Sequence, residues 1–243
     1  MIYKEPRFLS GGDCAIFVEL GDSIDPDVNQ RVRNLKMSLE KAEVPGVVES
    51  VPTYRSLLIY FTPLQINAAK LRQTVCHLLQ STTVAELPKR KLIEIPATYG
   101  GDFGPDLELV ARHNNLSAAE VVRIHGNVRY LIYMLGFMPG FPYLGGMSPE
   151  IATPRKTTPR LKIPAGSVGI AGNQTGIYPA ESPGGWQIIG RTPLELFHPN
   201  QEPPSILQAG DYLSFVSITP EEFARIKEAV RNGTYRLNER LID

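Results

Sequence analysis

"IPAGSVGIAGNQTGIYPAESPGGWQIIGRTP", residues 163–193, decides the fold. Glycine or proline recurs every few residues, so no helix can run through it, while "SVGIA" and "WQIIG" between them are β-prone. The punctuation extends upstream: between Gly136 and Gly190, eleven of fifty-five residues are glycine and eight are proline. That density predicts a mainly-β domain, a barrel or a sandwich with long shaped loops. "RYLIYMLGF" (129–137) supplies a further strand, and "LQAGDYLSFVSIT" (207–219) reads as a strand pair. Helical patterns flank this region. Pro105–His113 is followed by a helix over Ser117–Gly126, opened by a capping box of Ser117 and Glu120. Thr219, Pro220 and Glu222 open a last helix carrying Phe223, Ile226 and Val230.

Residues 1–88 have a different texture and read as a separate α+β domain, with residues 89–243 as the β domain. "CAIFVEL" (14–20) is a strand, and Asp25–Pro26 then starts a helix whose Val28, Val32, Leu35 and Leu39 recur at helical spacing. "GVVESVPTYRSLLIYF" (46–61) gives two strands. Thr62–Pro63 repeats the cap-and-proline start, with Leu64, Ala68, Leu71, Val75 and Leu78 as one face, and "KLIEIPA" (91–97) is a closing strand. The order strand, helix, strand, strand, helix, strand is that of a ferredoxin-like fold. "SGGD" (10–13) is a turn rather than a phosphate loop, because no helix follows it and no lysine accompanies it.

Twenty-five basic residues balance twenty-five acidic ones, which argues against nucleic acid or an anionic membrane surface as the main partner. No window reaches the roughly 20 apolar residues of a span, and the start lacks a signal-length apolar run, so a cytoplasmic protein is expected. Cys14 and Cys76 sit in apolar surroundings and read as buried free thiols. Without a Cys/His/Asp cluster at ligand spacing, no metal is expected. No GxxxxGK[ST] loop is present.

"GFMPGFPYLGG" (136–146) and the two loops after it carry Phe137, Phe141, Tyr143, Tyr178 and Trp186. Rigid aromatics beside exposed amides suit a pocket wall or a partner surface; equally, they complete the core at tight turns. Arg155, Lys156, Arg160 and Lys162 form a basic run that is either a solvated loop or a seat for a carboxylate or acyl phosphate. Gln174, Thr175, Tyr178, Ser182 and Trp186 are placed to orient a small amide. Ser182 lies outside any GxSxG context, so it is not a nucleophile. His125 shares a helical side with Ala118, Val121 and Val122, which fits core packing, although histidine also moves protons near neutral pH.

"YGGDFGPDL" (99–107), "GFMPGFPYLGG", the 163–193 stretch and "AGDYLSF" (209–215) resemble the family that contains the B subunit of bacterial 5-oxoprolinase, the first-subunit half of allophanate hydrolase and urea amidolyase-type proteins, and a sporulation kinase inhibitor. The resemblance covers nearly the whole chain. It implies a cyclophilin-like barrel after the ferredoxin-like domain. It also implies a complex with the homologous C subunit and the A subunit of 5-oxoprolinase, which together turn the lactam 5-oxo-L-proline, ATP and water into L-glutamate, ADP and phosphate. Similar loops in the family place a histidine and a tyrosine at His125 and Tyr130, and a family motif falls on Arg155 and Arg160. Joined to the reading of the loops, this gives His125, Tyr130 and Arg160 as the expected catalytic residues, Arg155, Gln174, Tyr178, Ser182 and Trp186 against substrate, and Phe137, Phe141 and Tyr143 at an interface. ATP contacts are expected on, or shared with, another chain of the complex. The family's other roles, restraint of a sensor histidine kinase or one half of a urea- or allophanate-processing carboxyltransferase, are the alternatives.

Overall fold

The computed structural model describes residues 1–81 and 90–242. The chain divides into two compact units, Met1–Pro88 and Lys89–Asp243, and the expected boundary at 88/89 falls outside the described residues. The amino-terminal unit runs β1 (Ile2–Ser10), β2 (Ala15–Gly21), α1 (Pro26–Lys41), β3 (Val47–Pro52), β4 (Ser56–Phe61) and α2 (Ala68–Ser81). Its antiparallel sheet has the order β1-β2-β4-β3. Asp25 caps α1 through bonds from the N–H groups of Asp27 and Val28, and Val28, Val32, Leu35 and Leu39 are buried.

The ferredoxin-like plan is met by a different route from the one expected. "KLIEIPA" does not close this sheet; β1 takes the edge place beside β2 instead. The sequence hides β1 because Pro6 and a bulge interrupt it and most of its side chains face solvent, as suits an edge strand. Thr62–Pro63 opens a turn, not a helix: the N–H groups of Gln65 and Ile66 bond back to the Thr62 carbonyl, and Leu64 is 97% exposed. The helix starts at Ala68, where Asn67 accepts from the Lys70 N–H at 2.8 Å. Cys14 is also exposed rather than buried, since it lies in the β1–β2 hairpin turn ahead of the first buried residue, Ala15, and Cys76 is half-buried.

The second unit contains β5 (Arg90–Tyr99), α3 (Leu107–His113), α4 (Ala118–Gly126), β6 (Tyr130–Leu135), β7 (Pro142–Gly145), β8 (Arg160–Ile163), β9 (Ser167–Ala171), β10 (Gln174–Ile177), β11 (Ser182–Gly184), β12 (Gln187–Arg191), β13 (Tyr212–Ser217), α5 (Pro220–Arg231) and β14 (Glu239–Ile242). The main sheet has the order β10-β9-β12-β5-β13-β6-β7, with β14 also on β5, while β8 and β11 form a separate ribbon. β7 and β10 lie side by side without a ladder, so the sheet curls into a nearly closed barrel, the cyclophilin-like architecture. The 207–219 stretch yields one strand, β13, not two; it runs parallel to β5. Both expected capping boxes are present, at α4 and α5.

The wall β10-β9-β12 separates two apolar clusters. Val168, Ile170, Ile177 and Ile189 point into the barrel and join its main core. Ala171, Tyr178, Trp186 and Ile188 point outward and pack with Phe141 and Ile163. Strand alternation alone produces this division.

Candidate functional site

The outward cluster forms a cleft of about 140 Å³ lined by Phe137, Phe141, Tyr143, Arg155, Gln174, Tyr178 and Trp186, with the Pro183–Gly185 backbone. Phe141 is its centre, 3% exposed, and meets Phe137, Tyr143, Tyr178 and Trp186 at centroid separations of 5.4–5.8 Å, all edge-on. Such pairs add about 0.5–1.5 kcal/mol each beyond burial. The loop before β7 builds one wall: Gly140 is left-handed, φ +81°, which closes the turn that aims Phe141 inward. Phe137 is also left-handed, φ +63°, yet is not glycine, and its ring is 69% exposed. Strain at an exposed aromatic is not explained by core packing.

Of the four cations in the basic run, three have carboxylate partners. Arg160 Nη2 lies 2.7 Å and Lys156 Nζ 3.5 Å from Asp106 Oδ1, and Lys162 pairs with Glu181 at 3.0 Å. Asp106 is 5% exposed and also accepts from the Ile188 N–H at 2.7 Å. Burial pushes its pKa up, but the Arg160 and Ile188 hydrogen bonds and the Arg160 and Lys156 charges outweigh this and hold it below the usual carboxylate value. Arg160 is therefore not part of a merely solvated loop: its Nη2 ties the segment to Asp106 ahead of α3, while its Nη1 is buried without a hydrogen-bond partner. Among the described residues Arg155 alone of the four has no carboxylate within ion-pair distance; its guanidinium stands 5.9 Å from the Trp186 ring centroid, over the cleft. Burial raises the Tyr178 pKa to about 12, with the Arg155 charge opposing, so this phenol stays protonated at neutral pH.

His125 and Tyr130 do not join this cleft. Both are 0% exposed in the barrel interior. His125 Nδ1 is 2.9 Å from Tyr99 Oη, its Nε2 is 2.9 Å from Thr175 Oγ1, and the Tyr130 hydroxyl donates to the His125 carbonyl at 2.9 Å. The imidazole packs at 4.4 Å centroid distance on Phe215, and burial lowers its pKa to about 3. A neutral, enclosed ring without access to the cleft is not placed to exchange protons with a ligand there, and burial likewise lifts the Tyr130 phenol far above its ordinary range. Thr175, expected at the ligand, is 1% exposed and faces inward. Ser182 begins β11 outside the cleft, its hydroxyl against the Pro183 carbonyl. Asp106 went unnoticed in the sequence because it precedes α3 and looks like an ordinary cap; its side chain makes no capping bond. Among the described residues no group of His, Cys, Asp or Glu is arranged to hold a metal, and no helix is long and apolar enough to cross a membrane.

Comparison with known proteins adds relatives to this geometry. The model of the carboxyltransferase domain, subdomain C and D, matches residues 6–207. The 5-oxoprolinase B subunit of Bacillus subtilis (strain 168) is 46% identical over 228 residues, 89% of this chain and 95% of that protein. The protein of the same name from Escherichia coli O157:H7 is 40% identical over 205 residues, 84% of this chain and 93% of that one. Among solved structures, that of TTHA0988 is 34% identical with a TM-score of 0.75, covering 84% of this chain and 40% of that longer one.

Proposed function

This chain belongs to the carboxyltransferase-domain family, subdomain C and D, and we propose that within it the protein is the B subunit of an ATP-dependent 5-oxoprolinase, whose aromatic cleft is one wall of the lactam site. The observation that carries the reading is Arg155: a guanidinium without a carboxylate partner among the described residues, held over Trp186 beside Gln174 and four further rings. 5-Oxo-L-proline offers what that surface complements. Its carboxylate suits the planar fork of Arg155, its amide edge suits Gln174, and its methylenes suit Trp186 and Tyr178.

The cleft is small. At about 140 Å³ it lies below the roughly 300–1,000 Å³ of ordinary ligand pockets, which supports a half-site completed by another chain. Phe137, exposed and strained at the rim, is then the natural contact for a homologous C subunit, with the A subunit completing the enzyme. A lactam carbonyl is a poor electrophile. Transfer of the ATP γ-phosphoryl group to its oxygen activates the ring carbon; addition of water there lets the C–N bond break, with the electron pair and a proton going to nitrogen. A second water releases phosphate from the acyl phosphate, leaving L-glutamate. The residues of this cleft do not fit a triphosphate, since one guanidinium faces it and no phosphate loop of the GxxxxGK[ST] kind exists in the chain, so the ATP contacts belong to another chain of the complex. The chain's own part is to bind and orient the lactam, with the phenol of Tyr178 held protonated as a donor. Relatives at 40–46% identity carry the 5-oxoprolinase name, and no feature of the cleft favours kinase restraint or urea processing over it.

The test is Arg155→Met in the complex reconstituted from its subunits. KM for 5-oxo-L-proline should rise at least about tenfold, some 1.4 kcal/mol, while the melting temperature of the isolated chain stays at the wild-type value. An unchanged KM would remove the carboxylate seat from Arg155.

A further inference from the structure

One assignment of hydrogen-bond directions satisfies every polar contact around His125. The Thr175 hydroxyl has one proton and donates it to the Gly169 carbonyl at 3.0 Å. Its oxygen must therefore accept from His125, which puts the ring proton on Nε2 and leaves Nδ1 to accept from the Tyr99 hydroxyl. Every polar atom of the buried imidazole is used, and the Tyr130 bond to the His125 carbonyl fixes the backbone beneath it. The result is a directed chain, Tyr99 to His125 to Thr175 to Gly169, running from β5 through the end of α4 into the β9–β10 hairpin.

Thr175 is the one inward-facing polar side chain of β10. Its two neighbours on the strand, Gln174 and Gly176, face the other way, onto the cleft. A Cβ on Gly176 would stand 3.2 Å from Phe141 Cζ and 3.3 Å from Trp186 Cζ3, so the strand itself is the floor on which those rings rest. β10 is a terminal strand of the sheet, laddered on one side by β9 and merely touching β7 on the other. A short strand held by a single ladder needs another anchor to keep its position to a fraction of an ångström.

We propose that His125 is a positioning residue: through its Nε2–H bond to Thr175 it locks β10 from inside the barrel and so sets where Gln174 and the floor beneath Trp186 stand in the cleft. The lock itself follows from the bonding; its effect on the substrate rests on the cleft being the lactam site. This gives buried His125, which never meets a ligand, a route to affinity.

Trp186 is the chain's single tryptophan and lies in the cleft, so its emission and its quenching by acrylamide report the cleft floor without partners or substrate. Thr175→Val keeps the shape but removes both hydroxyl bonds; Thr175→Ser keeps the hydroxyl. The Val variant should shift Trp186 emission and raise its quenching, and the Ser variant should restore both. Tyr99→Phe removes only the donor to Nδ1 and should alter Trp186 in the same direction by less, although no part of the lost hydroxyl belongs to the cleft. In wild-type protein the nitrogen-15 shifts of the His125 ring should identify the Nε2–H tautomer. Wild-type Trp186 signals in folded Thr175→Val, or, should that variant not fold, in Tyr99→Phe, overturn the proposal. In the reconstituted complex the Val variant should raise KM for 5-oxo-L-proline about tenfold with a smaller change in kcat, within the up to 100-fold effect that an ångström of misplacement brings. Altered Trp186 signals with an unaltered KM would uphold the lock and remove the lactam from the cleft.

Discussion

Acidification offers a measurable consequence of burying a neutral histidine. The His125 pKa falls from 6.5 to about 3 on folding because the ring is fully desolvated. Below pH 6.5 the unfolded chain takes up a proton that the folded chain refuses, so the stability this group permits is complete above 6.5 and is lost as pH falls toward 3. Each unit is worth about 1.4 kcal/mol, so moving from pH 6.5 to pH 5 removes about 2 kcal/mol through this one residue. Carboxylates with lowered pKa lose their contribution mainly as pH falls through and below their ordinary values, 3.8 for Asp106 and 4.5 for Glu120 and Glu221, which leaves most of the interval from 6.5 to 5 clear of them. Urea unfolding followed by circular dichroism at several pH values across this range measures the slope, and His125→Gln supplies the control, since glutamine retains a donor toward Thr175 and does not titrate. The variant will be less stable throughout. What matters is that its stability should fall with acid more shallowly than wild type by about one proton's worth. Parallel curves would mean that His125 is protonated equally in both states, and the argument from burial would fail.

Two further outcomes follow from the packing. Arg160→Ala should destabilise the chain by about 2–3 kcal/mol in urea or thermal unfolding, somewhat under the 3–5 kcal/mol for breaking a fully buried pair, because the Arg160 side chain is 27% exposed while Asp106 is left with Lys156 and one N–H. Adding Asp106→Asn should recover part of that loss, and a cost under about 0.5 kcal/mol would return Arg160 to the surface class. Phe137→Gly should leave stability unchanged or higher by up to about 1 kcal/mol, since a left-handed, largely exposed phenylalanine gives way to a residue suited to φ +63°, yet it should weaken assembly with the homologous C subunit about tenfold by titration. Normal assembly would mean that the strained ring is not a contact.

What was legible in the residues was local. The Asp25 cap and the capping boxes of Ser117 with Glu120 and Thr219 with Glu222 each close within three residues, so they appear in any short window. The glycine-proline texture of 136–190 likewise announced shaped loops on a β scaffold, and the aromatics in them did converge. The misread parts depended on partners far along the chain. Arg160 meets Asp106 across 54 residues, Ile188 reaches the same carboxylate across 82, and His125 meets Thr175 across 50. No spacing rule joins such pairs. Alternation says that Gln174 and Thr175 face opposite sides, but only the closed barrel says which side is inside. The distinction is functional. On β10 the cleft-facing and the inward-facing side chains are consecutive residues, so with the lactam in the proposed site, moving a substitution by one position should change its effect from lost contact to lost placement. Gln174→Ala should therefore act on binding alone, whereas Thr175→Val acts on the strand that carries Gln174.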